Sequence, residues 1–222
     1  ARFLLRGKQL GRHEYVSTRN YELDSACYFI RMLWFFWKAV PDSAVLRETA
    51  VKEAVDIMID VWIAEQDHEA DAYPQGPLFD CYFCGQPYRY PELQRGGKGN
   101  VTARTGMTWS GFRPSDDKCK FGYLVPANMF AVVALRYVAE MAPQLWSDLG
   151  GRELALKARR LATEIDEGIQ KYGIVEHEVF GRIYAYEVDG VNGTEQGRLL
   201  MDDANVPSLL SAPYLGYHVN AE

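Results

Sequence analysis

Residues 105–128, TGMTWSGFRPSDDKCKFGYLVPAN, set Trp109, Arg113 and the adjacent acids Asp116 and Asp117 into a stretch punctuated by Gly and Pro. A core helix would not tolerate that polarity, and a solvated linker would not need those aromatics. The mixture suits a ligand with hydroxyls and an apolar face, such as a sugar. Glycoside hydrolysis needs two carboxyl groups flanking one bond, one of them a general acid. Neighbouring side chains diverge, so Asp116 and Asp117 do not form that opposed pair. One would donate a proton, and the other would bind a hydroxyl or orient Arg113.

The same carboxylates have a plainer reading. Pro-Ser-Asp-Asp resembles a helix start, with Ser115 as cap and the acids at the positive helix end. Gly122 and Pro126 interrupt any helix continuing from there, and both readings stand at this point. Further acids with binding potential are Glu22, Asp24, Glu187, and Asp202 and Asp203 with Asn205 in MDDAN. MDDAN precedes Val206-Pro207 and reads first as a cap, and Glu22 and Asp24 read first as a cap or ion pair.

Metal chemistry has little support. His68 in EQDHEAD and the pair His177/Glu178 lack dense ligand spacing, and Cys81–Cys84 is a lone CxxC without a second pair. No metal and no cofactor is expected. No nucleophile elbow, P-loop or dinucleotide glycine pattern is present. A formal net charge of −6 argues against nucleic acid as a partner. The apolar run over residues 27–40 is interrupted by Arg31 and Lys38 and is too short to cross a membrane. Two sequons, Asn100-Val-Thr102 and Asn192-Gly-Thr194, point weakly to secretion, and the compartment stays open.

The elements that must position these groups are helical. With 222 residues, 48% of them hydrophobic, the chain is long enough for one sizeable core. Residues 22–40 are apolar almost all round, which predicts a buried helix stopped by Pro41. Residues 44–66 are one-sided, with Val51, Val55, Met58 and Trp62 at helical spacing. Residues 127–141 are again apolar all round, and residues 152–171 again one-sided. A fifth apolar segment starts near Asn205. Alternation of buried and amphipathic helices predicts concentric inner and outer helices. The connection over residues 67–125 is aromatic-rich and reads as an ordered, site-building loop. Residues 183–188, IYAYEV, with a turn at Asn192-Gly193, predict a β-hairpin.

Several blocks, in this order, resemble glycoside hydrolase family 125: RNYELDSACY (19–28), EQDH (65–68), TGMTWSGFRPSDD (105–117), YLVPANMFAVV (123–133), IYAYEVDG (183–190) and LMDDANVPSLLSAPYLGY (200–217). The resemblance implies an all-α fold, here an incomplete (α/α)6 barrel in which residues 1–222 form part of a larger catalytic domain. It implies an exo-acting, inverting α-1,6-mannosidase without a metal, acting on α-1,6-linked mannosides or N-glycan-derived oligosaccharides. It places the general acid in RPSDD, on Asp117 first and Asp116 second. Trp109, Arg113, Glu22, Asp24, Glu187, Asp202, Asp203 and Asn205 are the expected substrate-binding groups. Family members also carry an earlier WLRDS-type block and a later HESF-type block holding the general base. Neither occurs in this sequence, and Glu222 in HVNAE does not match. The chain therefore reads as the middle of a family member, itself expected to be inactive. Two alternatives remain: a truncated product that binds mannosides or needs a partner, and a barrel glycosidase of other linkage specificity.

Overall fold

The computed structural model describes residues 21–70, 93–191 and 195–218. Cys81, Cys84, the turn at Asn192-Gly193, and Glu222 lie outside the described residues.

Four helices carry the fold: α1 (Leu23–Ala39), α2 (Thr49–Glu65), α3 (Val125–Leu145) and α4 (Gly151–Gly168). In α1, Leu23, Cys27, Ile30 and Leu33 recur every three or four residues and are buried. The opposite face was expected to be buried too. It is not: Met32, Phe35 and Phe36 are exposed.

One helix was expected over residues 44–66, but there are two pieces. A 3-10 turn (Ala44–Arg47) ends at Glu48, whose extended backbone (φ −60°, ψ 135°) breaks the spiral before α2 begins. Val55, Ile59 and Trp62 make the buried stripe of α2.

Helix α3 is the centre of the protein, packing against both α1 and α4. Pro126 sits in its first turn, where a missing N–H costs nothing. It is 21 residues long and apolar enough to cross a membrane, but 83% of its apolar window is buried within the protein. Such burial is that of a core helix. Helix α4 turns Leu154, Ala158, Leu161 and Ile165 inward and continues into a π-helical turn (Ile169–Gly173).

Two small antiparallel sheets complete the described structure. Strand β1 (Tyr123–Leu124), just before α3, pairs with β4 (Glu187–Val188), which pairs with β5 (Arg198–Leu199). Strands β2 (Ile174–His177) and β3 (Gly181–Tyr184) form a separate hairpin. The expected strand over 183–188 is thus divided between two sheets. Its break falls at Ala185 and Tyr186, whose N–H groups bond Gly173 O and Leu199 O. The apolar segment near Asn205 does not begin a long helix. The Asp202 carboxylate instead accepts the N–H groups of Leu209 (2.8 Å) and Leu210 (3.1 Å), and a single helical turn, Ala212–Leu215, follows among the described residues.

Candidate active site

The start of α1 is bonded to the segment before the acidic pair. Tyr21 O accepts the N–H groups of Gly111 (3.1 Å) and Phe112 (3.2 Å). The Leu23 N–H donates to Ser110 Oγ at 3.2 Å, and that hydroxyl donates to Phe112 O at 2.9 Å. Glu22 and Asp24 are thereby held beside residues 110–117.

RPSDD is the tip of a tight turn, not a helix start. Phe112 and Lys118 form an antiparallel bridge. Inside it, the Arg113 N–H donates to Asp117 O (2.7 Å) and the Asp116 N–H to Arg113 O (3.0 Å). Ser115 caps no helix, and its hydroxyl donates to Asp117 Oδ2 at 3.3 Å. Closing so short a turn puts Asp116 at φ 65°. Asp tolerates this left-handed conformation better than most side chains, at a cost on the order of 1 kcal/mol. Both aspartates are exposed at the tip.

The turn is anchored from β4. Arg113 Nε lies 2.6 Å from Glu187 Oε1, and the N–H groups of Lys120 and Phe121 both donate to Glu187 Oε2 at 2.8 Å. Glu187 has 0% exposure. Burial pushes its pKa up, against Arg113 and the two amides that pull it down. The Arg113 guanidinium also lies over the Tyr186 ring, 5.6 Å from its centroid. Glu187 and Arg113 were both expected at the site, and the structure joins them as a buried anchor.

Three carboxyls feel one another's charge where α1 begins. Burial first, then the nearby charge of Asp24, push the Glu22 carboxyl up to about 7; Asp116 adds to the shift through its charge and a hydrogen bond. Burial and the charge of Asp116 lift Asp24 to about 6. Asp24 is 5% exposed, and its Oδ1 has no hydrogen-bond partner. Glu22 makes no side-chain cap on α1, contrary to the default expectation, and accepts a bond from Ser25 Oγ at 3.2 Å. Like charges crowded out of water favour keeping protons in the cluster.

Trp109 was expected to offer a ring to a sugar. It is 1% exposed, with His68 stacked at 3.8 Å and Tyr21 stacked at 6.0 Å. It is the floor under the turn. Gly122 is required there, because a Cβ would fall 2.2 Å from Trp109 Cδ1. Asp202 serves its own loop, as described above, and Asp203 Oδ1 accepts the Asn205 N–H at 3.0 Å. The charge of Asp203 reaches Tyr186, whose buried hydroxyl has no hydrogen-bond partner. Asn205 is exposed.

Sequence reasoning passed over three supports. Glu65 and His68 are a buried pair at 2.6 Å, and His68 Nε2 bonds Lys98 O at 2.9 Å. Their i,i+3 spacing at the end of α2 was the available signal. Asn128 has 0% exposure, and its amide bonds both Thr108 N–H (2.8 Å) and Thr108 O (3.0 Å). Nothing in the local sequence separates it from any other Asn in a first helical turn.

Among the described residues, no three His, Cys, Asp or Glu side chains converge as a metal-ligand set. A cleft of about 680 Å³ lined by Arg136, Arg159, Asp166 and Gln170 contains none of these carboxyls. Asp166 in that cleft already accepts a hydrogen bond from Tyr217 Oη at 2.6 Å.

The chain matches the family described as metal-independent alpha-mannosidase (GH125) over residues 8–222. It is 34% identical over 201 residues to the Meiotically up-regulated gene 157 protein of Schizosaccharomyces pombe, covering 89% of this chain and 38% of that protein. A solved Streptococcus pneumoniae structure is 38% identical, with a TM-score of 0.79, and the match covers 92% of this chain and 45% of that one. That protein is described among metal-independent alpha mannosidases, with insight into the processing of N-linked glycans, in a non-productive substrate complex with alpha-1,6-mannobiose. The chain thus spans less than half the length of these relatives.

Proposed function

The chain belongs to glycoside hydrolase family 125, the metal-independent α-mannosidases, and from that premise we propose that it supplies the acid side of an exo-acting α-1,6-mannosidase. The substrates are α-1,6-linked mannosides or N-glycan-derived oligosaccharides, as the mannobiose complex of the Streptococcus pneumoniae relative suggests. The reaction is an inverting single displacement on an (α/α)6 barrel. The carrying observation is the RPSDD turn, anchored through Arg113 to Glu187 and set beside Glu22 and Asp24.

Asp117 donates its proton to the glycosidic oxygen, and the bond from that oxygen to the anomeric carbon breaks. Water attacks the anomeric carbon from the opposite face and gives its proton to a second carboxylate. Inverting enzymes hold the two carboxyls about 6.5–9.5 Å apart to admit that water. The second carboxylate is the HESF-type glutamate that the family resemblance implies. Asp24, with a buried oxygen free of partners, accepts a sugar hydroxyl. Arg113 stays with Glu187.

A specific observation favours Asp116 as a second reading for the acid. Its carboxyl is the one hydrogen-bonded to Glu22, whose raised pKa favours a proton in that contact. The test uses a longer version of the chain carrying WLRDS-type and HESF-type segments, assayed on α-1,6-mannobiose. Loss of turnover in Asp117→Asn with retention in Asp116→Asn supports the first reading, and the reverse supports the second. Retention in both overturns the assignment. Purified residues 1–222 should release no mannose.

A further inference from the structure

The cleft of about 680 Å³ runs along α4 and contains none of the carboxyls of the candidate site. Arg159, Thr163, Glu167 and Gln170 line it at helical spacing, so they share one face of α4 and of the π-helical turn that continues it. From Arg159 to Gln170 that face is roughly 16 Å long at about 1.5 Å per residue. Arg136 of α3 forms the other side. A chain of hydrogen bonds fixes the wall between them. Arg136 Nη2 lies 3.5 Å from Asp166 Oδ2, Asp166 Oδ1 accepts from Tyr217 Oη at 2.6 Å, and Tyr217 Oη accepts from Gln170 Nε2 at 3.1 Å. Side chains from α3, α4 and the segment after MDDAN are thus locked together at the cleft before any ligand arrives, which lowers the ordering cost of binding.

We infer that this cleft is a second, non-catalytic binding site for an oligosaccharide, holding a stretch of mannoside other than the linkage being cleaved. The identity of the sugar rests on the mannosidase reading above; the class of ligand rests on the lining. A peptide needs apolar anchors seated in pockets, and Ala162 is the one apolar residue that lines the cleft. A polyanion would meet the carboxylates of Asp166 and Glu167, and like charges brought together oppose binding.

A row of sugar hydroxyls both donates and accepts, and the cleft supplies both kinds of partner. The Arg159 guanidinium donates and the Glu167 carboxylate accepts. Thr163 Oγ1 gives its proton to Arg159 O at 3.1 Å and is left to accept. Gln170 Nε2 is committed to Tyr217 Oη, which leaves Gln170 Oε1 to accept as well. Ala162 and the aliphatic stems of Arg136 and Arg159 offer the apolar surface that a sugar ring covers with its C–H face. The length of the face admits more than one ring in a row.

The test titrates isotope-labelled residues 1–222 with α-1,6-linked mannotriose and follows the amide resonances. The expected result is saturable shifts at Thr163, Glu167 and Gln170. Arg159→Ala combined with Glu167→Ala, two exposed positions outside the Asp166–Tyr217 hydrogen bond, should weaken that binding by about tenfold or more. Circular dichroism checks that the variant keeps its helices. Shifts confined to the start of α1 and residues 110–117, no shifts at all, or indifference to the double variant would overturn the inference. The same would follow if inorganic phosphate moved the α4 resonances and the trisaccharide did not, since the cleft would then be an anion site. Hydrolysis of α-1,6-mannobiose is read separately in the longer chain: its absence counts against the proposed function, whereas lost binding at α4 counts against this inference alone.

Discussion

Arg113 and Glu187 meet at 2.6 Å, and the carboxylate has no exposed surface. This contact ties the turn that carries Asp116 and Asp117 to β4, and through β1 to the start of α3.

Arg113→Ala should destabilise the fold by about 3 kcal/mol, because it strands a buried carboxylate. Glu187→Gln should cost less, since its amide oxygen can still accept from Lys120 or Phe121. Urea unfolding followed by circular dichroism measures both. Equal losses in the two variants would show that the ion pair is not the anchor.

The general acid should show itself through the leaving group. Asp117→Asn, in the longer catalytically competent chain, should lose about 10²–10⁴ of turnover on α-1,6-mannobiose. It should lose far less on an aryl mannoside whose leaving group needs no proton. Equal losses on the two substrates would assign Asp117 a binding role.

Glu22 and Asp24 make stability depend on pH. Their folded pKa values, about 7 and about 6, lie above the ordinary carboxyl range. Between the ordinary range and those values the folded protein holds protons that the unfolded chain has released, so stability falls as pH rises. It is fullest below about pH 4, as far as these two groups are concerned, and their contribution is lost by about pH 7. The thermal midpoint should fall across that window, and Glu22→Gln with Asp24→Asn should flatten the fall. An unchanged slope in the double variant would refute the cluster's protonation.

Gly122→Ala should destabilise by about 1–3 kcal/mol through overpacking. The added Cβ meets Trp109, whose ring cannot retreat from His68 and Tyr21. A wild-type urea midpoint would contradict the tight packing under the turn.

The helices were legible because their signal is local. The 3.6-residue recurrence of apolar side chains marks α1 through α4 within a few residues of their ends, and Pro41 and Pro126 mark two boundaries. Misreadings came where a distant group decides. Ser115 looks like a cap until Tyr21 O and the Phe112–Lys118 bridge fold the segment back on itself. The segment after Asn205 looks helical until the Asp202 carboxylate takes two of its N–H groups.

The chemistry divides the same way. Residue types and their order alone carried the family and the acidic pair in RPSDD, because a block of side chains is read directly along the chain whatever the fold. Only the tertiary structure decided what surrounds them. Trp109 became the floor because His68 and Tyr21 cover its ring, Glu187 became the anchor because β4 buries it against Arg113, and Glu22 and Asp24 joined Asp116 because the start of α1 is bonded to residues 110–112. Burial and the proximity of like charges are properties of segments far apart in the chain, and no local pattern encodes them.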